Sequence, residues 1–195
     1  MKLIVISAES EDARELAVLA QLFAAGLTHY HLRKPAWSRT QLAACLRAVP
    51  EEFHSRLVLH SHHDLAAEFA IGGLHFRDAD GPPSPLLRSR AVHDLATLRT
   101  ALDRYDRLLF SPVFPSLSKP GRTPDPRIAA SDLRAILALP RRTEVFALGG
   151  IHASRVSACR DLGFDGVAVL GAVWQSADPV RAFHDLQQAL LAHAA

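Results

Sequence analysis

Short apolar runs alternate with longer stretches of helical period along the whole chain. Residues 3–7 read as a first strand, and 11–25 as an amphipathic helix that stops before Gly26. Residues 28–33 form a second strand, after which Ser38 caps a helix running to 49. A third strand over 57–60 leads into a helix at 64–70, closed by Gly72 and Gly73. A short fourth strand follows at 74–76 and a weak fifth at 90–92, then a helix over 94–102. The sixth strand occupies 108–110, with a helix at 129–139; the seventh occupies 144–148, with a helix at 153–162. The eighth strand spans 166–170, and a last helix spans 179–192.

Eight strands with helices between most of them predict a single (β/α)8 TIM barrel over residues 1–195. An open doubly wound sheet uses the same alternation. Closure is favoured by the count of eight and by the polar residues that gather after nearly every strand, as a ring of βα loops requires. The link over 77–88 reads as loop, because Gly81-Pro82-Pro83-Ser84-Pro85 opposes a helix there. With the segment around Pro120 and Pro126 it forms surface loops long enough to act at an active-site rim.

At 195 residues and 49% hydrophobic content the chain supports one well-buried domain. Twenty-two basic against 20 acidic side chains, a net +2, give no dense basic face of the kind nucleic acid requires. Cys45 and Cys159 sit among alanines and leucines in helical segments, with no Cys-x-x-Cys pair, and read as small buried hydrophobes. No apolar run reaches the ~18 residues of a membrane span, and the opening residues are too short for a signal segment. A soluble, cytoplasmic protein with no membrane partner is the expectation.

In a barrel the functional face comprises the residues just after each strand. Here they include His31, Arg33 and Lys34 after strand two, and His60 to His63 after strand three. His75, Arg77 and Asp80 follow at strand four, and His93 at strand five. Ser111, Ser116, Ser118 and Lys119 come after strand six, Gly149 and Gly150 after seven, Gly171 after eight. The ensemble reads as a basin for a polyanionic, phosphate-bearing small molecule with acid–base groups beside it. An arginine in a barrel mouth suits an anion. His31 reads either as a ligand contact or as a pore-side packing residue. The run His60-Ser61-His62-His63 is not expected to converge on one metal, since neighbouring strand residues face opposite ways and His62 and His63 open a helix. Asp94 reads as a helix cap, leaving His93 free as a proton shuttle. Glycines at 149 and 150 let backbone amides approach a phosphate, and loops after strands seven and eight often do so in barrels.

Several stretches resemble the thiamine phosphate synthase family, which includes the thiazole tautomerase TenI: His31-Leu-Arg-Lys-Pro35, Gly73-Leu-His75, the run from Ser111 to Gly121, Ala147-Leu-Gly-Gly-Ile151, and the run from Phe164 to Val173. The resemblance covers strand one to the last helix in order. It implies coupling of a pyrimidine diphosphate to a thiazole phosphate, with loss of pyrophosphate and with Mg2+. It assigns Arg33 and Lys119 to the diphosphate and Asp80 to the metal, and in a divergent synthase Lys34, His31 and His60 would take over further diphosphate and metal contacts. Ser116, Ser118, Gly149, Gly150 and Gly171 fall to the thiazole phosphate. The chain departs from the family pattern on the diphosphate side. Lys34-Pro35 stands for a glutamate and a lysine, His60-Ser61 for Asn-Asp, and Ala91 for a serine. The resemblance therefore also admits a metal-free tautomerase working through His93, or a non-catalytic phosphate-ligand binder. Barrels of this kind often pair through their helices, so a homodimer is a further expectation.

Overall fold

The structure, a computed structural model, describes residues 1–77, 84–117, 121 and 123–192. Eight strands follow one another around a closed parallel barrel: β1 (Lys2–Ile6), β2 (His29–Leu32), β3 (Leu57–Leu59), β4 (Gly73–Phe76), β5 (Leu87–Val92), β6 (Arg107–Phe110), β7 (Glu144–Leu148) and β8 (Gly166–Val169). Closure is made by β8 pairing with β1, with Leu3 opposite Val167 and Val5 opposite Val169. The expected TIM barrel is the architecture found.

Among the described residues, α-helices lie between most strands and after the last: α1 (Glu15–Ala24), α2 (Arg39–Ala48), α3 (Leu65–Glu68), α4 (Leu95–Ala101), α5 (Ala130–Leu137), α6 (Val156–Leu162), α7 (Gly171–Trp174) and α8 (Pro179–Leu191). Local chemistry sets several of their ends. Ser38 accepts from the Gln41 amide while the Gln41 side chain bonds the Ser38 amide, a capping box that starts α2. Asp94 accepts from the Thr97 amide at α4, and Asp178 from the Arg181 amide at α8, where Pro179 takes the first helical position.

Strand alternation divides the apolar residues between two cores. Val5, Tyr30, Leu59, Leu108, Val145 and Val167 face outward and pack with the helices in one large buried cluster. Ile4, Ile6, Leu109, Phe146 and Ala168 form a second, smaller cluster inside the barrel. The inward residues of β2 to β4 are of another kind, with His31 and His75 at 0% and 4% exposure. At this level the barrel interior is thus oily on the side of β1 and β6 to β8 and carries histidines on the other, while Arg107 and Glu144 pair nearer the amino ends of β6 and β7.

Two readings of the sequence need correcting. The fifth strand is twice the expected length because it starts at Leu87 and takes in Arg88, whose guanidinium, like that of Arg90, lies against the Tyr105 ring, at 4.9 and 5.8 Å from its centre. Arginine stems covering an aromatic ring break the apolar pattern without breaking the strand. The segment at Gly171, expected as loop, is the helical turn α7, which sets Trp174 to donate from Nε1 to the Ile6 carbonyl at 2.7 Å. Among the described residues, no helix is long and apolar enough to cross a membrane. Both cysteines are free thiols; burial pushes Cys45 up to about 11 and Cys159 to about 12.

Candidate active site

A cavity of about 1050 Å3, measured out to its open mouth, lies at the carboxyl ends of the strands. Arg33, His60, His75 and His93 line one side. Ser111, Ser116, Gly149, Gly150 and Gly171 line the other, and Ile6, Leu109 and Ala168 form part of its apolar lining.

Arg33 is placed by the end of β1. The Ser7 hydroxyl accepts from the Arg33 amide at 2.8 Å and donates to the Arg33 carbonyl at 3.0 Å, pinning the backbone on both sides. The guanidinium meets the Glu9 carboxylate at the rim. Lys34, one residue on, goes elsewhere. Its ammonium pairs with Glu15 of α1, donates to the Ser10 carbonyl at 3.1 Å, and lies 4.8 Å from the Trp37 ring centre. The Lys34 side chain is wholly buried, so the expectation that it contacts the diphosphate is corrected. Glu15 also accepts from the Tyr30 hydroxyl at 2.6 Å, which makes this trio an internal strut between α1 and β2.

Of the two readings of His31, the structure favours the pore-side packing residue. It is fully buried beneath the cavity, with Nδ1 3.0 Å from His60 Nε2. It supports His60, which does reach the cavity, and is not itself among the residues that line it. His62 and His63 turn to the carbonyls of Trp37 and Leu59, at 3.0 and 3.1 Å, so the histidine run does not converge, as expected. His60 instead joins His31 and His75 from the neighbouring strands, a grouping that sequence reading missed. The signal was present in alternation: His31, His60 and His75 all occupy inward positions at the ends of consecutive strands. Burial is the main force holding all three rings below the ordinary histidine range, His75 to about 3.

His93 stands at the rim. Its Nδ1 lies 2.7 Å from the Ser111 carbonyl oxygen, which only accepts, so Nδ1 carries the proton. In the neutral ring this leaves Nε2 as the acceptor. Ala91, below it on β5, also lines the cavity.

The two glycines after β7 have a second reason to be glycine. Gly149 and Gly150 adopt φ of +97° and +65°. A Cβ on Gly149 would lie 2.9 Å from Pro112 Cα, and one on Gly150 would collide with the Pro115 carbonyl. The segment after β6 packs there because the Val113 amide donates to Leu148 at 2.9 Å and the Phe114 amide to Gly149 at 3.2 Å. The segments after β6 and β7 are therefore sewn together, with Ser116 beside the glycines on the cavity wall. Asp80, Ser118 and Lys119 lie outside the described residues.

Comparison with known proteins agrees in direction. A family model described as thiamine monophosphate synthase matches residues 3–173. The thiamine-phosphate synthase of Thioalkalivibrio sulfidiphilus is 30% identical over 189 residues, covering 89% of this chain and 86% of that protein. That of Leuconostoc citreum is 26% identical over 184 residues, covering 87% and 85%. The crystal structure of thiamine phosphate pyrophosphorylase from Bacteroides thetaiotaomicron superposes with a TM-score of 0.83 at 28% identity over the whole of both chains.

Proposed function

The chain belongs to the thiamine monophosphate synthase family, and on that footing we propose that it joins a pyrimidine-methyl diphosphate to a thiazole phosphate and releases pyrophosphate. The observation that carries the reading is the sewn wall of Ser116, Gly149, Gly150 and Gly171 facing Arg33 across one cavity. One side suits a phosphate monoester, and the other puts a guanidinium where a diphosphate departs.

In this reading the C–O bond to the diphosphate breaks first and the electron pair leaves with pyrophosphate. The thiazole nitrogen then supplies the pair for the new C–N bond, giving a thiazolium. Such a step needs charge stabilisation on the leaving group more than it needs a base. Arg33 supplies it, and Lys119, which follows β6 in the sequence, is the second cation the resemblance assigns. The apolar lining of Ile6, Leu109 and Ala168 keeps water from capturing the cation.

The resemblance also brings Mg2+. A hard cation takes oxygen ligands, whereas the described donors facing the cavity are mainly imidazole nitrogens, and the Glu9 carboxylate is engaged with Arg33. The described residues do not fit Mg2+. A second reading rests on His93. Its fixed tautomer offers Nε2 as a base, which is what a metal-free thiazole tautomerase requires.

Incubation of the purified chain with both substrates, with and without Mg2+, separates the readings. Thiamine phosphate is the expected product. Aromatisation of a thiazole carboxylate phosphate without thiamine phosphate would replace the synthase by the tautomerase, and thiazole-phosphate binding without turnover would replace both by a binder.

A further inference from the structure

The interior of the barrel holds a feature that the proposed reaction does not use. His31, His60 and His75 each offer a ring nitrogen, and the three atoms lie within 4.8 Å of one another. Imidazole is a costly filler for a barrel interior, since each ring brings two nitrogens that need partners. One of them, His31 Nε2, is buried with no partner among the described residues. His60 and His75 stack with ring centres 4.0 Å apart, and His31 sits edge-on to both.

The geometry points to a site for a borderline divalent transition metal of the zinc or cobalt class, held by His31, His60 and His75, with its remaining coordination position open to the cavity. Three nitrogen ligands and one open position is the arrangement of reactive rather than purely structural zinc sites. Imidazole donors without a carboxylate favour zinc, cobalt, nickel or copper over magnesium.

The surrounding bonds prepare the ligands. Ser89 gives its hydroxyl proton to the Leu74 carbonyl at 3.3 Å, so its oxygen accepts from His75 Nδ1 at 2.9 Å. His75 Nε2 is thereby left with its lone pair, and the ring is held from behind as metal-bound histidines are. The proton between His31 Nδ1 and His60 Nε2 must leave that line for a metal to enter. The unpartnered His31 Nε2 receives it, so three neutral rings bind with no net loss of protons. Metal–nitrogen bonds of about 2.0–2.1 Å set neighbouring nitrogens ~3.3 Å apart in a tetrahedron, a contraction of the present cluster that rotation of the half-buried His60 achieves. Arg33 repels an incoming cation, but its pairing with Glu9 offsets much of that charge. The ligand expected at the open position is an anionic oxygen, since Arg33 draws the same species.

The test uses the full chain, stripped with a chelator and titrated with Co2+ and then Zn2+. One equivalent per chain is expected, with the intense visible bands of tetrahedral cobalt and their loss on zinc addition. His60→Ala and His75→Gln, each checked for folding by circular dichroism, are expected to weaken binding at least 100-fold. Ser89→Ala is expected to weaken it about 10-fold through loss of the supporting bond, and the surface control His152→Ala to leave it unchanged. Absence of cobalt bands in the unmodified chain overturns the proposal, as does an octahedral spectrum. Binding that survives the His60 and His75 substitutions places the metal elsewhere and overturns it as well. The readout is binding alone, so it stands apart from the outcome of the synthase assay.

Discussion

His93 is tied to the backbone of the next strand, its Nδ1 donating to the Ser111 carbonyl at 2.7 Å just where the Ser111 amide bonds Val92 at 3.0 Å. The ring is therefore set by the sheet itself and turns its other nitrogen outward. Its orientation separates the two readings of the site. As a mere contact of a synthase, His93→Ala is expected to lower kcat/KM by about 10-fold, the value of one hydrogen bond. As the acid–base group of a tautomerase, it is expected to cost 10²–10⁴-fold, mostly in kcat. Steady-state kinetics on both substrate sets decides.

Lys34→Ala is expected to behave as a stability variant. Removing the ammonium leaves the Glu15 carboxylate buried beside Tyr30 without its counter-charge. Loss of one partner of such a pair costs about 3–5 kcal/mol. Urea denaturation is expected to show that loss, while KM for both substrates stays unchanged in protein that remains folded. A selective rise in the diphosphate KM at unchanged stability would return Lys34 to the site.

Gly150→Ala combines a left-handed backbone with a collision. The αL cost of about 1–2 kcal/mol adds to overlap with the Pro115 carbonyl, so the β6 segment must shift away. A stability loss of about 2–4 kcal/mol is expected, together with a rise in the thiazole phosphate KM. Gly121→Ala is the comparison, with φ +78° but nothing among the described residues within 4 Å of the added carbon. It is expected to cost only the backbone strain.

The two thiols, pushed to about 11 and about 12 by burial, hold almost no thiolate at pH 8. Ellman's reagent is expected to react slowly with Cys45 and more slowly still with buried Cys159, and with both at once in urea. Fast labelling of Cys159 in the native chain would show that α6 opens readily.

Asp94→Ala is expected to remove about 1 kcal/mol through the lost cap. The Thr97 amide and hydroxyl hold the Asp94 carboxyl below its ordinary value. A depressed folded value makes the contribution whole above the unfolded pKa of about 3.9 and lost as pH falls through the folded one. The gap between wild type and variant is therefore expected to be constant near neutrality and to close below pH ~4, as read by urea midpoints.

The barrel was legible because parallel strands buried on both faces leave apolar runs, and helices between them leave caps such as Ser38 and Asp94. The glycine wall was legible for a related reason: glycines at a strand end are rare without a steric cause, and here the cause is Pro112 and Pro115. What escaped was direction. Lys34 and Arg33 are adjacent cations in the sequence, and only alternation, with Glu15 waiting on α1, sends Lys34 outward to a strut and Arg33 to the cavity rim. The histidine grouping escaped because His31, His60 and His75 meet across strands, and the clustered His60 to His63 run drew attention along the chain instead. The fifth strand was clipped at its start because Arg88 looks solvated until Tyr105 is placed beneath it.

The two bonds that carry Val113 and Phe114 onto the end of β7 give the catalytic rim an unexpected mechanical character. A proline-rich span that looks like slack chain is, through its first residues, an extra rung of the sheet. Whatever ligand presses on Gly149 and Gly150 presses equally on Ser116, so this side of the mouth moves as one plate or stays still. Adjustment to different substrates must then come from the facing side, where Arg33 and His60 sit on separate strand ends.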